Sequence, residues 1–225
     1  MKKFNRIALF IDGTYHGRIN QYFGKSHQIK SVLEWQGLFK YIESRVSSLE
    51  QLESYIVEVH YFKGLLNISN YTSTKALEAE HRFNEVLSRN GIIRHDYPVT
   101  NRSGKPGEKG IDVSLALEAY EKAVHGAYEV GVLIAGDEDY VPLLRKINSL
   151  GIRTMVVGFD AQYMLWDKPQ VTRTSAALLN TSTYAIMLHE EIESRVRQND
   201  SIITGLFLFP PRNGVSTFRE SKKSA

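Results

Sequence analysis

At 225 residues, with 42% hydrophobic and 24% charged side chains, the chain is long enough for one sizeable core and ordinary enough in composition for a globular domain. It contains no cysteine, which excludes disulfides and thiolate metal sites, and no apolar run approaches the roughly 18–20 residues that span a bilayer. A net charge of +3 permits nucleic-acid binding without demanding it, and the expected setting is cytoplasmic, away from membranes.

The basic start Lys2-Lys3 leads into an apolar stretch that stops at Asp12. That is too short for the roughly 7–15-residue core of a secretion signal, so Arg6–Ile11 reads as a first strand. Ser31–Leu49 follows as a helix with Leu33, Leu38, Ile42 and Val46 on one face. Tyr55–Phe62 carries the β-branched and aromatic residues of a second strand. Thr72–Arg89 is an amphipathic helix with Leu77, Phe83 and Leu87 turned inward and Asn90-Gly91 as its stop. Ile92–Val99 is a third strand, and Thr100–Lys109 reads as a flexible basic loop. Then come a helix over Ile111–Val124, a strand over Val130–Ala135, a helix over Asp139–Leu150 closed by Gly151, and a strand over Arg153–Val157. Tyr184–Leu188 is a last short strand and His189–Arg197 a last helix. Beyond Asn199 the pattern fades: Ile202–Phe209 is apolar, Pro210-Pro211 breaks it, and Arg212–Ala225 reads as solvated tail. Residues 1–199 are therefore expected to form one domain. Residues 200–225 are expected to be partly disordered or to dock on a protein partner or a second copy of the chain. Short strands alternating with longer helices predict an α/β architecture with a mostly parallel sheet.

Aspartates stand at or just beyond the ends of the apolar runs. Asp12 follows the first strand, Asp112 opens a helix, and Asp137 and Asp139 follow the Val130–Ala135 run. In a parallel sheet the carboxyl ends of the strands open into one crevice, where ligands bind. Carboxylates gathered there suit a hard cation, Mg²⁺ or Mn²⁺. Taken singly, Asp112, Asp137 and Asp139 read equally as helix caps. Taken together they repel, by roughly 3 kcal/mol for a pair about 5 Å apart at an effective dielectric near 20, and need an offsetting charge. A phosphate substrate also needs cations at the rim. Arg102, Lys105 and Lys109 precede Asp112, and His16, Arg18 and Lys25 follow Asp12. Tyr15, Tyr22 and Phe23 are candidates to stack on bases, or else to pack under a loop. The remaining histidines show no His-x₃-His spacing, so no zinc set is expected. No phosphate-binding loop or dinucleotide fingerprint is present either.

Three segments resemble the NYN domain of the LabA-like group: Phe10-Ile11-Asp12-Gly13, Lys109 to Ala116, and Ile134 to Leu143, continued by Leu150 to Gly158. The resemblance covers roughly residues 5 to 190. It implies a three-layer PIN-like fold, with a mostly parallel central sheet flanked by helices. It also implies a metal-dependent ribonuclease with Asp12, Asp112, Asp137 and Asp139 as the metal-binding set. The chain departs from the family pattern where Thr14, Tyr15 and His16 stand in place of a common asparagine, and at Ala135 in place of a small hydroxyl residue. Thr14 or His16 would then supply the missing polar group toward RNA. The rival readings are a non-catalytic RNA-binding or regulatory module, and a phosphatase or DNA-directed nuclease using the same carboxylates.

Overall fold

The computed structural model of the chain describes residues 3–65, 73–98, 100–102, 105–107, 110–196, 198 and 200–209. Strand β1 (Asn5–Asp12) is buried on both faces, which explains its unbroken apolar run. Its odd-numbered residues Ile7, Leu9 and Ile11 enter one hydrophobic core, and Ala8 and Phe10 enter the other. This split sets up three layers, helices on each side of one sheet.

On the first side, α1 (Gly13–Gln21) and α2 (Trp35–Glu50) cover the sheet. They contribute Tyr15 and Ile19, and Leu38, Ile42 and Val46, to that core. Two further helices, α3 (Thr74–Arg89) and α7 (Leu188–Val196), add Leu87 and Ile192. On the second side, α4 (Ile111–Val124), α5 (Val141–Ser149) and α6 (Ala176–Thr181) supply Leu115, Leu144 and Leu178. Each such fully buried aliphatic side chain contributes about 1.5–3 kcal/mol through removal from water.

The remaining strands of the central sheet are β2 (Ser54–Leu65), β3 (Ile93–Pro98), β6 (Val130–Ile134), β7 (Arg153–Gly158) and β10 (Tyr184–Met187). The spatial order is β10-β7-β6-β1-β2-β3, and every pairing is parallel. The chain winds from β1 outward through β2 to β3, then returns to start again at β6. The order therefore reverses between β1 and β6, the kind of switch point where an open α/β sheet leaves a crevice.

Four features differ from the sequence expectations. The Thr100–Lys109 stretch contains a small antiparallel pair, β4 (Thr100–Arg102) with β5 (Lys105–Gly107), while Lys109 lies outside the described residues. Helix α1 forms although its short polar sequence has two glycines, because Asp12 caps it through the Thr14 and Tyr15 backbone N–H groups. A second hairpin, β8 (Ala161–Leu165) with β9 (Lys168–Thr172), turns on Trp166 and Asp167, both at positive φ. Lastly, the apolar run beyond residue 199 packs against the first core. Helix α8 (Ser201–Thr204) is capped by Asp200, and Ile203, Leu206 and Phe207 are buried in the first core. The Leu206 carbonyl accepts from Glu34 N–H, and Leu208 N–H donates to the Val32 carbonyl. The apolar run Ile202–Phe209 thus buries several of its side chains within the chain itself, while Leu208 and Phe209 stay exposed and residues 210–225 lie outside the described ones.

Candidate active site

Asp12 ends β1, Asp137 follows β6, and Asp112 sits in the first turn of α4; all three line one crevice of about 660 Å³. Two glycines let the backbone come close enough to build it. A Cβ on Gly13 would stand 2.6 Å from the Phe62 carbonyl oxygen and 2.7 Å from the Tyr61 ring. A Cβ on Gly136 would stand 2.5 Å from the Tyr15 ring and 2.6 Å from the Arg173 carbonyl oxygen. Neither glycine has positive φ, so their use here is close approach rather than turn geometry.

Each aspartate also has local partners. Asp12 Oδ1 accepts from the backbone N–H of Thr14 at 2.8 Å and of Tyr15 at 3.1 Å. Asp137 Oδ1 accepts from the Asp139 N–H at 3.0 Å. The Tyr140 hydroxyl, whose residue is only 1% exposed, donates to Asp112 Oδ1 at 2.7 Å. Burial, the charge of Asp12, the bond to Asp112 and the charge of Asp137 together hold the Tyr140 phenol well above its ordinary pKa. It is therefore a permanent donor lying within the field of all three carboxylates. Tyr140 lies inside the Ile134 to Leu143 segment, where no local signal says that its hydroxyl reaches a helix residue 28 positions away.

The far wall is the segment after β9. Arg173, Thr174 and Ser175 line the crevice, and Ser175 N–H donates to the Gly136 carbonyl at 2.8 Å. Thr174 Oγ1 lies 2.8 Å from the Tyr15 hydroxyl and accepts from Phe159 N–H at 2.8 Å. Burial pushes the Tyr15 phenol up to about 12, so it too stays protonated. Arg18 and Arg173, both exposed, bring positive charge to the same crevice. No local pattern in the chain marks Arg173–Ser175 as part of a site.

The other expected site residues are distributed differently. Thr14 lines the crevice, but Asp139 is not among the lining residues, and Glu138 is. His16 is turned into the core instead of toward substrate: it is 2% exposed, stacks on Trp35 at 4.7 Å, and lies 3.2 Å from Asn20 Nδ2. Burial pushes its pKa down to about 4, so it is neutral near pH 7. Tyr15 and Phe23 are buried and Tyr22 packs against Phe159 and Tyr163, so these rings pack rather than stack on bases. Arg102 and Lys105 lie on the small β4–β5 pair, whereas Lys109 falls outside the described residues. The histidines are not all scattered: His60 Nδ1 and His95 Nε2 are 3.0 Å apart, away from the crevice lining.

The chemistry of the crevice fits a hard cation, since its ligand-type groups are carboxylates presented to an open polar cleft. Among the described residues no helix is long and apolar enough to cross a membrane.

A model of the NYN domain matches residues 6–188. No curated protein matches the sequence significantly. Among solved structures, a protein of unknown function from Vibrio parahaemolyticus superposes with a TM-score of 0.53 at 14% identity, covering 83% of this chain and 94% of that one. At that identity the likeness speaks for the α/β fold alone.

Proposed function

Since the chain belongs to the NYN domain family, part of the PIN-like nuclease superfamily, we propose that it is a metal-dependent ribonuclease that hydrolyses phosphodiester bonds in the crevice between β1 and β6. One observation carries this reading: Asp12, Asp112 and Asp137, from three distant segments, line a single open crevice together with Arg18 and Arg173. Asp12, Asp112 and Asp137 are the residues that would hold Mg²⁺ or Mn²⁺. A bound divalent ion supplies positive charge at the scissile phosphate and lowers the pKa of a water. Tyr140 holds the Asp112 carboxylate in one orientation through a hydroxyl that burial and the neighbouring carboxylates keep protonated near neutral pH. Asp12 and Asp137 are held likewise by backbone N–H groups of the turns they cap. Asp139 serves through its N–H, as a brace for Asp137. Arg18 and Arg173 contact backbone phosphates, which gives affinity for RNA without reading its sequence.

The test is cleavage of a labelled RNA panel by the purified chain with Mn²⁺, Mg²⁺ or EDTA, beside Asp137→Asn. Metal-dependent cleavage that disappears in the variant is the expected result. RNA bound but uncut under every condition would replace this reading with a non-catalytic RNA-binding module. That second reading has one observation in its favour: His16, one of the residues that stand where the family commonly has asparagine, points into the core.

A further inference from the structure

A second group of ligand-type side chains lies outside the acidic crevice, on the α4 side of the sheet. It consists of His60 on β2, His95 on β3 and Glu118 on α4, whose donor atoms all lie within 4.8 Å of one another. His60 Nδ1 is 3.0 Å from His95 Nε2 and 4.0 Å from Glu118 Oε1. Two ligands at about 2.0–2.1 Å from a tetrahedral ion stand roughly 3.3 Å apart, so small side-chain shifts bring the set to bonding distance. Register places the group apart from the crevice. Asp12 pairs with Phe62 and Phe10 with His60, so His60 sits two residues, about 7 Å, below the rim. Glu118 follows Asp112 by six residues, about 9 Å along the helix.

The surroundings prepare these side chains for an ion. His60 Nε2 lies 3.1 Å from Glu58 Oε2. An ionised carboxylate only accepts, so Nε2 carries the hydrogen and Nδ1 turns its lone pair toward His95 and Glu118. A carboxylate bonded to the outer nitrogen is the support that metal-binding histidines commonly have. The rings are also fixed by stacking: His60 lies 5.3 Å from Phe10 at 17°, and His95 lies 4.3 Å from Phe62 at 6°. His60 is buried, at 1% exposure, while His95 and Glu118 are half-buried and give an ion a way in. Lys122 Nζ, 3.0 Å from Glu58 and 4.0 Å from Glu118, neutralises these carboxylates in the metal-free protein. The same ammonium opposes a dication, which holds the affinity below that of a site with no neighbouring cation.

We propose that His60, His95 and Glu118 form a second metal site, which takes a borderline transition-metal dication, zinc before nickel or cobalt. Two imidazoles and one carboxylate select this class over Mg²⁺, the reverse of the all-oxygen crevice. An ion there joins the edge strand β3 to β2 and to α4, the helix that carries Asp112, while a fourth position stays open to water.

The test uses the full chain after treatment with chelator. Zn²⁺ is titrated by calorimetry and Co²⁺ by visible absorption, whose intensity reports four-coordination. The variants are His95→Ala and Glu118→Gln, both at half-buried positions, with circular dichroism to check their fold, and Asp137→Asn is the crevice control. A Zn²⁺ equivalent that persists in Asp137→Asn is expected in the wild type, with its binding weakened by at least about tenfold in each of the other two. Zn²⁺ should also raise the melting temperature of the wild type, but not of His95→Ala. Zinc binding unchanged in both His95→Ala and Glu118→Gln would overturn the site, as would its loss in Asp137→Asn alone. So would the absence of binding in the wild type, which would leave a hydrogen-bonded histidine pair with Lys122 beside its carboxylates.

Discussion

Replacing Tyr140 with phenylalanine keeps a buried ring in place and removes one hydroxyl. That hydroxyl is the donor 2.7 Å from Asp112 Oδ1. Hydrogen bonds to charged groups are worth about 1.5–3 kcal/mol, and because Asp112 is exposed the lower end applies. Urea unfolding in EDTA should therefore show a loss of about 1.5 kcal/mol with an unchanged m-value. The second effect is on the metal. A carboxylate that loses its outer hydrogen bond becomes free to rotate, and losses of this kind weaken metal affinity by about 10–100-fold. The Mn²⁺ concentration giving half-maximal RNA cleavage should rise by that factor, while the rate at saturating Mn²⁺ should fall less. The two readouts separate positioning from simple packing, since a packing defect lowers stability without moving the metal dependence. A variant as stable as the wild type and with the same Mn²⁺ dependence would refute the role given to Tyr140.

His16 should make the fold acid-sensitive. Its folded pKa of about 4 lies below the unfolded value of 6.5, so the unfolded chain binds the proton first and stability falls as pH drops from 6.5 toward 4. Between pH 7 and pH 5 this amounts to about 2 kcal/mol, so His16→Phe should lose that much less than the wild type in paired urea melts; equal losses would remove His16 as the cause. If Arg18 and Arg173 contact phosphates, changing both to alanine should weaken binding of single-stranded RNA and flatten its log–log salt slope by about 0.7 per residue, whereas an unchanged slope would take them out of the interface. Leu206→Ala should cost about 2–5 kcal/mol by calorimetry or denaturant melts, because Leu206 is fully buried in the first core; a near-neutral effect would mean that residues 200–209 are an appendage after all.

Much of this molecule is legible along the chain. The apolar runs that became β1, β6 and β7 are local signals, and so is the periodicity of α4, whose observed ends, Ile111 and Val124, are those expected from sequence. With strands alternating with helices, the parallel α/β architecture follows. The positions of Asp12, Asp112 and Asp137 at strand or helix ends follow too. The less legible parts are those whose cause lies elsewhere in the chain. Helix α1 has weak propensity and exists because Asp12 caps it and Gly13 fits against β2. The 201–209 segment is apolar in any reading, yet only the stretch leading into α2 decides that it docks at home, through Glu34 and Val32.

The set of elements and the carboxylates at their ends are written in the chain, because hydrophobic period and chain breaks are properties of neighbouring residues. Which side chains meet is settled only when the elements pack. Tyr140 reaches Asp112, Arg173–Ser175 close the crevice against Gly136, and His95 comes beside His60 through parallel pairing of β2 with β3. His16 turns inward for the same kind of reason: α1 lies against α2 and β2, so that face of the helix meets Trp35 and Tyr61 instead of water. Register and layering set those meetings, and both are global properties that no window of the chain contains.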